Sequence, residues 1–380
     1  NIYKNLKIYM AGLKIAVLVG LKRSITLQTT VSRNRIVLEL AQGLVKKGHE
    51  VTLFGTSDSN IAGVKIMGVI PKGFVEMPPA ENPFYEETGF LVSLAKKIQD
   101  HALEFDIIHN HTYPEFINLL IADKIKTPMV TTIHAQATEE FDNTLSLFPE
   151  ASLISISKAH KSLFKKTNFR EIVYNGVDTA LYSFSDKKRE YLLWLGRLSK
   201  AKNKDGSFMD PKGIRWAIEL ARQTGEKLLL SGNVEDMEFY NKDVKPFLND
   251  KIQWVGPVSP EQALRREQVV SLMQGAKAFL MTINWEEPFG LTMIEAMSCG
   301  TPVIAFNKGS VPELIIDGKT GFVVDPSEGI EGLKQALEKI SMIDPVDCRK
   351  HVEDNFTVEK MVDNYEKLYY ELLAKNNPDK

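Results

Sequence analysis

Cysteine is nearly absent: Cys299 and Cys348 are the two in 380 residues. They form neither a disulfide framework nor a metal-ligand spacing, which fits a reducing compartment and leads us to expect a cytoplasmic protein. No stretch of about 18 apolar residues occurs, so no membrane-spanning helix is expected. The apolar run 15–21 is short and no small-residue cleavage site follows it, so it does not read as a signal peptide. The net charge of -2 gives no pull toward nucleic acid, and Trp194, Trp216, Trp254 and Trp285 form no base-stacking pattern. No G-x-G-x-x-G follows the first strand candidate at 14–19, which weighs against a dinucleotide enzyme. Gly225 and Lys227 lack the spacing of a phosphate-binding loop, and no Asp-x-Asp pair suggests a metal. Neither a metal nor another cofactor is expected.

Hydrophobic residues make up 43% and charged residues 25% of the chain, the balance of a globular protein. The length predicts two domains. Charge is unevenly placed, with nine Lys or Arg against two Asp or Glu in residues 1–50. Such a region can touch anionic lipid at the inner membrane face, or a phosphate-bearing substrate. A solvated helix face is the commoner meaning of a charge run. The chain begins with Asn1, and Met10 reads as the natural first residue.

Short β-branched runs alternate with longer helical patterns. Runs at 14–19 and 51–54 flank residues 32–47, where Ile36, Leu40, Leu44 and Val45 fall at helical spacing and Gly48 closes the helix. This predicts a βαβ unit in a parallel sheet. Further strands are expected at 106–109, 129–133, 153–156 and 172–174, all of the continuously buried type. Asn175-Gly176-Val177-Asp178 reads as a turn between domains. The pattern restarts with strands at 191–195, 227–230, 252–255, 278–282, 302–306 and 322–324. Helices are expected near 212–224, 260–273, 290–299 and 328–341. The tail 358–373, with Met361, Tyr365, Leu368 and Leu372 at helical spacing, predicts a closing helix. The fold class is α/β: two doubly wound, Rossmann-like parallel sheets facing a cleft. The boundaries are 12–178 for a first domain, 179–356 for a second, and 357–380 for a helix returning to the first.

The most informative string is Trp285-Glu286-Glu287-Pro288-Phe289-Gly290-Leu291-Thr292-Met293-Ile294-Glu295. Pro288 disfavours helix at Glu287, so a helix starts near Gly290. Its first N–H groups, near Gly290, Leu291 and Thr292, form an anion site that suits a diphosphate, with Phe289 at its edge. Glu295 lies about one turn inside, placed to accept hydrogen bonds from vicinal hydroxyls such as those of a ribose. Glu287, in the loop before the helix, can grip sugar hydroxyls. Leu195-Gly196-Arg197-Leu198-Ser199 follows a strand, and Arg197 there offers its fork to a diphosphate. His109, His111 and His134 stand at or just beyond strand ends, with His111 expected in the loop after a strand ending at His109. Val258, after the strand at 252–255, is a candidate contact for a nucleobase.

These residues resemble the retaining glycosyltransferases of the GT-B fold, family 4, whose hallmark is two Glu separated by seven residues. Glu287 and Glu295 match that pair. Gly309-Ser310-Val311-Pro312-Glu313 and Asp317-Gly318-Lys319-Thr320-Gly321-Phe322 match further signatures, read here as structural turns. The resemblance implies a Lys-Gly pair after the Arg, both cations binding the donor phosphates. Lys212-Gly213 fits that place, although Lys200–Pro211 stands as a polar, Lys-rich insertion expected to be a mobile loop, and Lys202 is the rival cation. The resemblance also implies an active-site histidine, best matched by His111, with Glu287 beside the reacting sugar. Many family members carry a Gly-Gly pair in the first loop. Residues 20–33 lack it, leaving Ser32 and Arg33 as substitutes. The implied reaction moves a sugar from a nucleotide sugar, UDP-linked first and GDP-mannose second, to a carbohydrate, lipid-linked or small-molecule acceptor. Rival readings are a sugar-nucleotide epimerase on the same fold and a non-catalytic sugar-nucleotide-binding protein.

Overall fold

A computed structural model of the chain describes residues 12–187, 190–259 and 262–376. The expected start at Met10 lies outside them, as do the first two residues of the helix expected at 260–273. The chain divides into two compact units. One holds the residues up to Gly176 and those from Val358 onward, and the other holds Val177–Thr357. The boundaries read from the sequence, at 178 and 356, give way to breaks after Gly176 and Thr357, and the closing helix is part of the first unit.

The first unit contains β1 (Lys14–Val19), β2 (Glu50–Thr56), β3 (Lys65–Ile70), β4 (Ile107–His111), β5 (Met129–Thr132), β6 (Ser152–Ser155) and β7 (Glu171–Ile172). They form one sheet in the order β3-β2-β1-β4-β5-β6-β7, every pair parallel. The second unit contains β8 (Tyr191–Leu195), β9 (Leu228–Ser231), β10 (Ile252–Trp254), β11 (Ala276–Met281), β12 (Val303–Phe306) and β13 (Gly321–Val324). Their order is β10-β9-β8-β11-β12-β13, again all parallel. Each unit therefore starts in the middle of its sheet, builds one side, and returns to build the other. Ligands of such sheets bind where the order reverses, at the strand C-termini. Those points are β1/β4 in the first unit and β8/β11 in the second. The helices include α1 (Ser32–Lys46), α2 (Pro83–His101), α3 (Ile214–Thr224), α4 (Leu291–Ser298) and α5 (Val358–Asn376).

The strands are apolar because helices cover both faces. Ala16, Leu18, Phe54, Leu94, Ile98 and Ile108 form one core of the first unit. Leu193, Trp194, Leu230, Phe279 and Ile304 are buried in the second. Burying each Leu, Ile or Phe side chain among them contributes about 1.5–3 kcal/mol. Helix α5 is tied to the first unit by polar contacts as well. His49 Nδ1 accepts from the Leu13 N–H at 3.0 Å, so its other nitrogen donates to Glu366, 2.9 Å away. Lys47 pairs with Asp363 at 2.7 Å and also with Glu366.

Among the elements that were not anticipated are a strand and a long helix of the first unit. Strand β3 lies at the sheet edge with Gly68 inside it, and its residues are mostly half-buried, so its apolar signal is weak. Helix α2 opens with Pro83, and the Asn82 side chain accepts from the Tyr85 N–H. One expectation is corrected: His111 is the last residue of β4 rather than part of the loop beyond. Its backbone registers with Val19, because β1 continues far enough to pair with it.

Candidate functional site

In the second unit the site is built around the loop between β11 and α4. Gly290 is the cap residue of α4, at φ 82° and ψ 61°, a left-handed conformation that glycine adopts without steric penalty. Gly290 has no side chain with which to cap this helix end, and the first turn holds no acid. Gly290 and Thr292 are half-buried, and Leu291 is 9% exposed. Phe289, just before the cap, is buried. Glu295, one turn inside α4, is 1% exposed.

Glu287 is held by three neighbours. Its Oε2 lies 2.5 Å from Lys212 Nζ and accepts from Trp285 Nε1 at 3.0 Å. The same ammonium sits 4.5 Å from the centre of the Trp285 ring. Behind the loop stands Gly309, at φ 56°, where an added Cβ would lie 2.3 Å from both the N and the O of Glu287. Ser310 N donates to Glu287 O at 3.0 Å, and Ser310 Oγ to Phe289 O at 2.5 Å. The turn read as structural thus clamps the loop that carries Glu287, a role the sequence reading missed.

The structure brings Lys212, rather than Lys202, to Glu287. Lys202 pairs with Glu238 at 3.0 Å and lies over the Phe208 ring. The insertion expected as a mobile loop is instead a folded turn. Lys202 bridges antiparallel to Phe208, and Phe208 is 3% exposed and stacked on Phe239 at 5.2 Å. A buried aromatic inside a polar, Lys-rich stretch anchors it. Asp210 then accepts from the Ile214 and Arg215 N–H groups, both at 3.0 Å, and so caps α3. Asn284 donates to Asp210 O and Pro211 O, and Trp194 Nε1 donates to Lys212 O at 2.9 Å. These bonds fix the backbone on either side of Lys212.

Arg197 lies two residues beyond β8, exposed, with Nη1 3.1 Å from Glu235 Oε1. Val258 is half-buried after β10, in a turn where Trp254 Nε1 donates to Pro257 O.

In the first unit the site lies at the end of β4. His111 is fully buried. Its Nδ1 is 2.8 Å from Nε2 of His134, which follows β5. The His109 ring lies 3.9 Å from the His111 ring, and its nitrogens bond Tyr369 Oη at 2.6 Å and Thr132 Oγ1 at 2.8 Å. Burial first, then the positive charge of Arg33, pushes the His111 imidazole down to about 3. Burial, then His111, also holds His109 and His134 well below the ordinary imidazole range. All three rings are therefore neutral at pH 7.

Arg33 is near this cluster, whereas Ser32 is the exposed first residue of α1. Arg33 Nη2 pairs with Glu115 Oε1 at 2.9 Å and its guanidinium lies 5.1 Å from the Tyr113 ring centre. Glu115, 1% exposed, was missed by the sequence reading. Nothing in its neighbourhood marks a buried carboxylate, and only the fold brings Arg33 to it. Its Oε1 also accepts from the His134 and Ala135 N–H groups at 3.4 and 3.3 Å. Among the described residues, no group of three or more His, Cys, Asp or Glu could hold a metal ion, and no helix is long and apolar enough to cross a membrane.

Comparison with known proteins bears on the chemistry. The family model for group 1 glycosyl transferases matches residues 183–353, and the model for glycosyltransferase family 4 matches residues 34–181. Together they take in both units. The chain is 25% identical to N-acetyl-alpha-D-glucosaminyl L-malate synthase of Bacillus anthracis, over 93% of this chain and 97% of that protein. It is 22% identical to spore coat protein SA of Bacillus subtilis, over 88% and 93%. Among solved structures, sucrose-phosphate synthase from Thermosynechococcus elongatus superposes with a TM-score of 0.74 at 19% identity, covering 95% of this chain and 100% of that one. Anabaena HepE in complex with UDP-glucose gives 0.69 at 18%, covering 94% and 100%. At these identities the structures speak for the fold, and the family models speak for the class. The chain belongs to the group 1, family 4 glycosyltransferases: it is a transferase with the α/β GT-B fold.

Proposed function

We propose that the chain transfers a sugar from a nucleotide diphosphate sugar to a hydroxyl-bearing acceptor, with retention at the anomeric carbon and without a metal. The amino end of α4, with glycine at its cap and no acid in its first turn, carries this reading. The first N–H groups of a helix have no intrahelical acceptor, and the helix dipole favours an anion there. A diphosphate at this end draws the Lys212 ammonium from Glu287, and that carboxylate then accepts sugar hydroxyls. Arg197 joins from the end of β8. Its present pair with Glu235 is exposed, and such pairs contribute about 1 kcal/mol at most, so exchanging it for a phosphate costs little. Glu295 is assigned to the ribose and Val258 to the base.

In the reaction the bond from the anomeric carbon to the phosphate oxygen breaks. The acceptor oxygen bonds that carbon on the same face, and its proton passes to the departing phosphate oxygen. Fixed cations and helix N–H groups stabilise the charge that develops on the diphosphate. UDP is the first choice of nucleotide and GDP, with mannose, the second. The UDP-glucose in the complex of one fold neighbour supports that order.

A thermal-shift panel of UDP-, GDP- and ADP-sugars tests the donor. A ligand at a hundred times its Kd adds about 2.7 kcal/mol to stability. UDP-sugars are expected to raise Tm, and Glu295→Ala to remove the rise. An unchanged rise in that variant removes Glu295 from the ribose role. Product NMR is expected to show the donor's anomeric configuration, and turnover is expected to survive EDTA. Inversion, or complete loss on chelation, would overturn those parts.

A further inference from the structure

The two imidazoles at the end of β4 constrain each other's protons. His111 Nδ1 and His134 Nε2 are 2.8 Å apart, so one of them carries the hydrogen. If His134 donates, His111 must carry its own proton on Nε2. That atom is buried and has no hydrogen-bond partner among the described residues. A buried N–H without an acceptor is rarer than a buried acceptor without a donor. If His111 donates instead, its Nε2 is a bare lone pair. His134 then carries its one N–H hydrogen on Nδ1, on a ring that is half-buried rather than sealed. The second arrangement leaves no buried orphan N–H on His111.

The position of His134 is itself determined. Glu115 Oε1 accepts the His134 and Ala135 backbone N–H groups while paired with Arg33, and His160 Nε2 lies 2.8 Å from Ala135 O. The other charged or titratable groups facing the pair are His109 on β4 and Tyr365 on α5. None of the contacts of these groups reaches His111 Nε2.

We propose that His134 is a positioning residue that holds His111 in its Nδ1–H tautomer, leaving Nε2 as a bare acceptor for a substrate hydroxyl. The hydroxyl part rests on the reading of His111 as an active-site residue, and the tautomer does not. His111 in this form takes a hydrogen bond and does not give one.

Two-bond proton–nitrogen NMR of the 15N-labelled full chain at pH 7 reads the tautomer directly. The expected spectrum shows a pyrrole-type Nδ1 and a pyridine-type Nε2 for His111. His134→Phe removes the acceptor and is expected to shift His111 toward the Nε2–H form. His134→Gln, whose amide oxygen can accept from Nδ1, is expected to keep the original form. Turnover should fall about tenfold or more in His134→Phe, since a wrong tautomer disables a histidine whose geometry is otherwise intact, and recover in His134→Gln with UDP binding unchanged in both. A pyridine-type Nδ1 in the unsubstituted protein overturns the proposal, and needs no variant to fold. An unchanged His111 tautomer in His134→Phe overturns the positioning role. The expected tautomers with full turnover in His134→Phe would overturn the hydroxyl part alone, and with it the active-site reading of His111.

Discussion

At the end of β4 the polar groups are neutral rings: His109 and His111 are 0% exposed, and the half-buried His134 is also held uncharged. Around the loop before α4 they are charged and partly open. Lys212 is 23% exposed at its side chain and Arg197 52%. The first arrangement directs single hydrogen bonds, and the second offers fixed positive charge and helix N–H groups to an anion. The difference also decides what anchors each site. Neutral rings need neighbours from several elements to orient them. A charged loop needs its backbone held, which Gly309 and Ser310 do from one side and Asp210 and Asn284 from the other.

The largest expected effect breaks the second unit while sparing the first. Gly309→Ala puts a methyl group against the Glu287 backbone and strains a left-handed position. We expect a loss of about 3 kcal/mol or more, seen as a lower Tm, together with loss of nucleotide-induced stabilisation. Hydrogen exchange should place the loss in residues 177–357.

Acid should do the reverse and weaken the first unit. An imidazole depressed from its ordinary value to about 3 in the folded state contributes stability that is complete above pH 6.5. Below that the unfolded chain binds protons that the folded chain refuses, so stability falls progressively toward pH 3. His109 and His134 add in the same direction. Several kcal/mol should be lost across this window in urea titrations at stepped pH. A flat profile there would count against neutral rings.

The contrast also explains what the sequence revealed. The second-unit string runs without interruption from Trp285 to Glu295, so one helix start and two carboxylates are visible at once. The first-unit site draws Arg33 from α1, His111 from β4, Glu115 from the turn after it, and His134 from beyond β5. No local pattern records that convergence, and Glu115 was invisible for that reason. The extension of β4 to His111 was missed because a strand's end depends on how far its partner β1 runs. Central strands were legible from their apolar runs, whereas the edge strand β3 was not. In the insertion, polarity suggested a mobile loop and hid the single buried Phe208 that pins it.

A smaller effect sharpens the comparison. Lys212→Met removes the ammonium from Glu287 and leaves a mostly buried carboxylate with the Trp285 N–H. We expect about 1–3 kcal/mol of destabilisation and a larger loss of UDP affinity, measured by calorimetry. The smallest stability effect is Arg197→Ala. Its exposed pair with Glu235 contributes about 0–1 kcal/mol, so Tm should barely move while UDP affinity falls.

Thr292→Asp tests the central claim most directly, because its two effects have opposite signs. The first turn of α4 has no acid, so a carboxylate there complements the helix dipole and should hold or raise the Tm of the ligand-free protein, by about 0.3–1 kcal/mol. The same charge repels a diphosphate at that helix end. The account predicts an unchanged or higher Tm without ligand and no shift on adding UDP. A full UDP shift in Thr292→Asp would contradict it.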